Sequence, residues 1–136
     1  MNRLRITMAQ IDFVVGRIEG NRDRMLEILK GARDQQVDLV IFPELSLSGY
    51  PPEDLLLRKD FLDRVDLALD EIAQATPGIT AIIGFPERKS GALFNSAAIL
   101  QNGRKVQTYQ KRLLPNYGVF DEKRYFKKGV SPCVFE

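Results

Sequence analysis

VDLVIFPELSLSGYPPEDLLL, residues 37–57, changes character at its seventh residue. The six residues before it end in four consecutive apolar side chains, too few for a helix, and such a run suits a strand buried on both faces. Pro43 ends the strand because proline has no N–H to give a ladder. SGYPPED then supplies a dense run of turn residues. Glu44 therefore lies directly past the carboxyl end of a core strand, which is where α/β sheets open their functional crevice.

Outward from this stretch the pattern alternates. On the N-terminal side, residues 4–9 place Leu4, Ile6 and Met8 on one face of a short strand. Asn21 precedes an amphipathic segment in which Met25, Leu29 and Ala32 recur at helical spacing, with Leu26 widening the stripe. On the C-terminal side, Phe61, Val65, Ala68 and Ile72 predict a helix from Asp60 to Ala75, with Asp60 as its N-cap. Thr76, Pro77 and Gly78 stop it, and ITAIIGF (79–85) is a second apolar strand. Residues 93–100 and 104–110 flank Asn102-Gly103, the pair that favours a type I′ hairpin. LLPNYGVFDEKRYFKKG is irregular, aromatic and charged, and VSPCVFE reads as the opening of one more strand. Helices between the early strands predict an α/β layer arrangement, and the hairpin makes the sheet mixed. One domain is expected, and the strand-like end at Glu136 leads to the expectation of a cut chain.

Composition excludes several chemistries. The chain has 136 residues, 44% hydrophobic and 28% charged, a profile that can bury a core. It has no histidine and one cysteine, Cys133. Histidine-based triads, histidine-ligated zinc, disulfide frameworks and thiolate cages cannot be built from this chain alone, so no metal site is expected. Cys133, between Pro132 and Val134 with no acid beside it, reads as a buried structural residue. No apolar run approaches the roughly 18 residues of a membrane span, and a reducing, cytoplasmic setting without membrane contact is expected. Net charge is +2, but residues 101–136 hold eight of the 20 basic side chains and only three of the 18 acidic ones. Basic and aromatic residues interleave there, yet Asp121 and Glu122 interrupt the patch and no nucleic-acid motif is present, so no nucleic-acid partner is expected.

Three residues are candidates for chemistry. Glu44, at its strand exit, is placed to move protons. Lys111 follows the second hairpin strand, where an ammonium can face a developing oxyanion. Glu122 is an acid near enough in sequence to hold that lysine. Taken singly, each also fits an ordinary solvated charge.

FPELSLSGYPPEDLLL and KRLLPNYGVFDEKRYF together resemble the glutaminase domain, a nitrilase-type carbon-nitrogen hydrolase, of the glutamine-dependent NAD synthetases. GFPE (84–87) and FNSAAIL (94–100) extend the resemblance over essentially the whole chain from RITMAQ onward. It implies a four-layer α-β-β-α sandwich with mixed sheets, of which residues 1–136 supply about the first half. It implies Glu44 as general base, Lys111 as oxyanion stabiliser and Glu122 as the acid that buttresses the lysine and orients the substrate amide. Tyr50 and Tyr117 match aromatic positions lining a glutamine pocket, as does Phe120, which also fits a plain loop anchor. The nucleophilic cysteine of such enzymes falls downstream of Glu136, so this chain alone is expected to be inactive. The implied partners are glutamine, a synthetase domain of the same full-length protein and further copies of the chain in a homo-oligomer. No cofactor is expected on this chain; ATP and magnesium are implied only for the absent synthetase domain. Two alternatives share the residues: a free-standing amidase of the nitrilase superfamily, and a non-catalytic folding or oligomerisation fragment.

Overall fold

The computed structural model describes residues 3–136. Its elements run β1 (Ile6–Met8), α1 (Ile18–Asp34), β2 (Leu39–Ile41), α2 (Lys59–Gln74), β3 (Thr80–Lys89), β4 (Ala92–Gln101) and β5 (Arg104–Gln110). Short 3-10 turns cover Glu53–Leu57 and Glu122–Arg124. The five strands form one sheet in chain order. β1, β2 and β3 are parallel, as strands joined through helices must be here, and β3, β4 and β5 are antiparallel hairpins. The expected mixed α/β sheet is therefore present.

The helices cover one face of the sheet. Val40, Ala81, Ile83, Ala98 and Leu100 point to that face and are completely excluded from solvent. Beneath α1 they meet Ile18, Met25 and Leu29, and beneath α2 Phe61, Val65 and Ile72. Each fully buried aliphatic side chain contributes on the order of 1.5–3 kcal/mol through surface removed from water. The opposite face is treated differently. Ile6 and Met8 remain 50% and 79% exposed, and Leu39 and Ile41 are only half-buried. The expectation that VDLVIF is buried on both faces is thus corrected: β2 has three ladder residues and only Val40 is sealed. Helices lie on one side alone, so alternation leaves its neighbours facing outward.

Local chemistry revises several boundaries. α1 begins at Ile18, and Asn21 is inside it instead of before it. The Asn21 amide is occupied elsewhere, accepting from the Val14 N–H at 3.0 Å and donating to the carbonyls of Val14 and Leu47 at 2.9 and 3.1 Å. Asp60 is the second residue of α2, not its cap, because its carboxylate pairs with the Arg58 guanidinium at 3.0 Å. The Asn102-Gly103 hairpin forms with φ of 50° and 82°. A second hairpin, unread in the sequence, closes β3 onto β4 through Ser90 and Gly91, at φ 51° and 76°. Residues 130–136 form no strand, and Cys133 is half-exposed instead of buried. That segment returns to the sheet through the Glu136 carbonyl, which accepts from Gln101, while Val130 and Val134 stay exposed. Pro132 removes one donor from any ladder there. Among the described residues, no helix is long and apolar enough to cross a membrane.

Candidate active site

Glu44 is positioned by backbone packing. The turn after β2 is held by the Leu47 N–H on the Gly84 carbonyl at 3.1 Å and by the Gly16 N–H on the Ser48 carbonyl at 2.9 Å. Leu45, Leu47 and Ser48 are buried, and Leu45 adopts a positive φ of 49°. The turn lies so close to β3 that a Cβ on Gly84 would sit 2.4 Å from the Pro43 oxygen and 2.5 Å from the Leu45 nitrogen. Only glycine permits that approach. Glu44 consequently projects past the sheet from a rigid seat.

Lys111 arrives from the other side of the sheet. Its N–H donates to the Asn95 carbonyl at 2.8 Å, and its own carbonyl accepts from Gly129 at 2.9 Å. A Cβ on Gly129 would meet the Gln110 oxygen at 2.3 Å, so the returning loop also requires glycine to pass the end of β5. Glu122 opens the second 3-10 turn, whose base is anchored by buried Phe126; the Phe126 N–H donates to the Glu122 carbonyl at 2.9 Å.

These three side chains converge. Lys111 Nζ donates to Glu44 Oε1 at 2.6 Å and to Glu122 Oε1 at 2.8 Å, joining residues 67 and 11 positions apart. Asn95 Nδ2 donates to the same Glu44 oxygen at 2.6 Å. The side chain of Glu122 is only 8% exposed, and its Oε2 is buried without a hydrogen-bond partner. Burial pulls the Lys111 ammonium toward its neutral form, but hydrogen bonds and charge from Glu122 and Glu44 outweigh this and hold it above its ordinary value. It is a cation at any neutral pH. The Tyr50 hydroxyl is likewise held above its ordinary value, by burial first and then by the charges of Glu44 and Glu122, and remains a proton donor.

A cleft of about 400 Å³ meets the cluster at Glu122, with Leu45, Tyr50, Pro51, Phe120 and Phe126 among its other walls; Glu44 and Lys111 lie outside its lining. Tyr50 and Phe120 thus share one cavity with Glu122. Tyr117 packs edge-on against Phe120, with ring centroids 5.6 Å apart, but it is 71% exposed and lines a different groove with Arg112, Lys123 and Lys128. Sequence reasoning did not single out Asn95, Gly84 or Gly129. An asparagine within the apolar run FNSAAIL was the available signal, since a buried amide demands partners. Glu87 is also buried, but its Oε2 accepts from two neutral donors, Ser96 at 2.8 Å and Gln110 at 2.9 Å.

Residues 5–136 match the carbon-nitrogen hydrolase family model. The chain belongs to the carbon-nitrogen hydrolase family. It is 51% identical over 136 residues to the glutamine-dependent NAD(+) synthetase of Xylella fastidiosa strain Temecula1, covering 98% of this chain and 25% of that protein. The glutamine-dependent NAD+ synthetase structure from Acinetobacter baumannii superposes with a TM-score of 0.95 at 42% identity, over 100% of this chain and 26% of that one. An amidase from Nesterenkonia sp. superposes with a TM-score of 0.78 at 25% identity, over 95% of this chain and 49% of that one. The hydrolase chain therefore spans about a quarter of the length of the NAD synthetases it matches, and the resemblance read from its motifs is borne out. Its fold is nitrilase-like, with one helix layer and one sheet among the described residues.

Proposed function

We propose that this chain is the N-terminal part of a glutaminase domain that supplies ammonia to an ATP-dependent NAD synthetase. The observation that carries the reading is the Lys111 ammonium clasped between Glu44 and Glu122 beside an open cleft. High identity to glutamine-dependent NAD(+) synthetases supports the choice of glutamine.

In this reading the nucleophile is a cysteine beyond Glu136, and the chain alone does not turn over. Glu44 takes the thiol proton as the sulfur attacks the side-chain amide carbon. The carbonyl oxygen becomes an oxyanion facing Lys111, whose positive charge is already fixed in place and costs no reorganisation. Glu44 returns the proton to nitrogen, the C–N bond breaks, and ammonia leaves a γ-glutamyl thioester. Water then adds to the thioester with Glu44 taking its proton, the C–S bond breaks as Glu44 returns that proton to sulfur, and glutamate departs with both the thiol and the carboxylate base restored. Glu122 keeps Lys111 in position through Oε1 and, as part of the cleft wall, helps orient the substrate amide. Tyr50 and Phe120 wall the glutamine pocket, and Tyr117 supports Phe120 from outside. ATP and magnesium belong to the synthetase part of the full-length protein; no phosphate-cradling glycine loop exists here for them. The apolar face left open by β1 and β2 is covered by the remainder of the domain, and the assembled protein is a cytoplasmic homo-oligomer.

The test uses the full-length protein. Glu44→Gln abolishes glutamate release and glutamine-driven NAD formation while leaving ammonia-driven NAD formation intact, and the isolated 136-residue chain releases no glutamate. A Glu44→Gln protein that still hydrolyses glutamine would defeat the proposal. The structural likeness to the Nesterenkonia amidase favours a second reading, a free-standing amidase. Hydrolysis of simple amides with no NAD formation from ammonia would select it.

A further inference from the structure

We infer that Asn95 is a positioning residue of the site, fixing both the general base and the lysine from a single point on β4. The inference rests on the functional reading above and adds a residue to it. Asn95 is 4% exposed and faces away from the helices, so its amide has no solvent to satisfy it. Its main-chain oxygen accepts from the Lys111 N–H at 2.8 Å. Its side-chain nitrogen donates to Glu44 Oε1 at 2.6 Å. A carboxylate only accepts, which fixes the amide with nitrogen toward Glu44. One residue thus spans the two segments that bring the base and the cation together, 67 positions apart in the chain.

The side-chain bond also distinguishes the two carboxylate oxygens. Asn95 and Lys111 both donate to Oε1. Both of its lone-pair directions are then used, so proton transfer falls to Oε2. Lysine alone could not impose this, because a four-carbon stem lets the ammonium follow the carboxylate as it rotates. The buried amide of Asn95, set on a ten-residue strand paired along both edges, does not follow. The groups acting on Glu44 are then Asn95, Lys111, Glu122 through the lysine, and the Tyr50 hydroxyl.

Asn95→Ala and Asn95→Asp in the full-length protein test this, with Glu44→Gln in the same glutaminase assay. The aspartate keeps shape and main-chain bonding but sets a like charge against Glu44. Asn95→Ala should lower kcat by up to about 100-fold, the scale of a small misplacement of a reacting group, with KM within about twofold of the parent enzyme. Asn95→Asp should lower kcat at least as far and move the acid limb of the kcat/KM profile to higher pH, since a carboxylate facing a like charge holds its proton more firmly. Should the alanine protein fail to fold, the aspartate protein carries the test. Parental kcat and an unmoved acid limb in Asn95→Asp, whatever its melting temperature, would overturn the inference. Glu44→Gln separates the two claims: its inactivity beside a fully active Asn95→Asp sinks only the role of Asn95, whereas its activity sinks the functional reading itself.

Discussion

Two groups of ion pairs in this chain use the same chemistry at similar distances and differ in how charge is balanced. Between α1 and α2, Arg64 grips Glu19 with Nε on Oε1 at 2.7 Å and Nη2 on Oε2 at 2.5 Å, and Arg22 meets Glu71 at 2.6 Å. There Glu19 has the Arg64 guanidinium on both of its oxygens, while Arg22 bridges Glu71 and its own neighbour Asp23, the latter at 2.8 Å. At the ends of β2 and β5, two carboxylates share one ammonium, and an oxygen of the more buried acid has no partner. Such an imbalance does not stabilise a fold; leaving a buried polar atom unpaired costs roughly 1–3 kcal/mol. Local rules broken in this way concentrate where a protein does chemistry.

The largest expected effect comes from breaking the unbalanced cluster at its centre. Lys111→Met in the full-length protein leaves Glu44 and Glu122 facing one another without a cation. Glutamate release should fall by about 100- to 1,000-fold, the usual loss when an oxyanion stabiliser is removed. Ammonia-driven NAD formation should be unchanged. Equal losses in both assays would mean that the lysine supports the fold instead of the reaction.

Next comes the seat of Glu44. Gly84→Ala forces a methyl group against the Pro43 oxygen and the Leu45 nitrogen, both backbone atoms that cannot swing aside. Overpacking of this kind costs about 1–3 kcal/mol. A lowered urea midpoint with an unchanged slope checks it, and a glutaminase loss beyond the stability change would show the Glu44 turn displaced.

Glu122→Gln sharpens the contrast from the opposite direction. The variant keeps an acceptor for Lys111 but removes the surplus negative charge, so stability near neutral pH should change by less than about 1 kcal/mol while glutaminase activity falls. The sign at alkaline pH follows from Lys111. Its value is raised in the folded state, so its contribution is complete below the ordinary lysine value of 10.5 and disappears as pH rises through the higher folded value. Glu122→Gln should lose that alkaline stability at a lower pH than the parent, measured by thermal melting from pH 9 upward. Coincident curves would show that Glu122 does not hold the lysine.

Much of this was legible in the sequence because it depends on local period. VDLVIF and ITAIIGF lie next to one another as parallel strands, and Phe61, Val65, Ala68 and Ile72 form the buried stripe of α2. Asn102-Gly103 needed no tertiary information to make its turn. What escaped depended on distant partners. Asn21 reads as a helix boundary until its amide is seen bridging the loops at Val14 and Leu47, and Asp60 reads as a cap until Arg58 occupies it. Gly84 reads as one more strand residue, since nothing nearby in sequence shows that the Pro43 to Leu45 backbone presses on it. Glu44 and Lys111 were legible as candidates from their strand exits and Glu122 from its nearness to the lysine, and motif resemblance gave them roles; their meeting at one ammonium is a product of topology, with β2 and β5 on either side of the β3–β4 pair.

The smallest effect belongs to the balanced pair, and it completes the comparison. Arg64 holds the Glu19 carboxyl down from 4.5 to about 2, mainly through its hydrogen bonds. A depressed acid stabilises the folded chain above its unfolded value and loses that contribution as pH falls through the folded one, here between about 4.5 and 2. Both side chains are more than one-third exposed, at 42% and 49%, so solvent and salt screen the pair and its worth is about 0.2–1 kcal/mol. Arg64→Ala should therefore lower the melting temperature slightly at pH 7. The difference from the parent should shrink toward zero as pH falls to 2, with glutaminase activity of the full-length protein unchanged. A loss of activity matching that of Glu122→Gln would show that the helix layer and the strand-end cluster are coupled, and the division between balanced and unbalanced pairs would have to be abandoned.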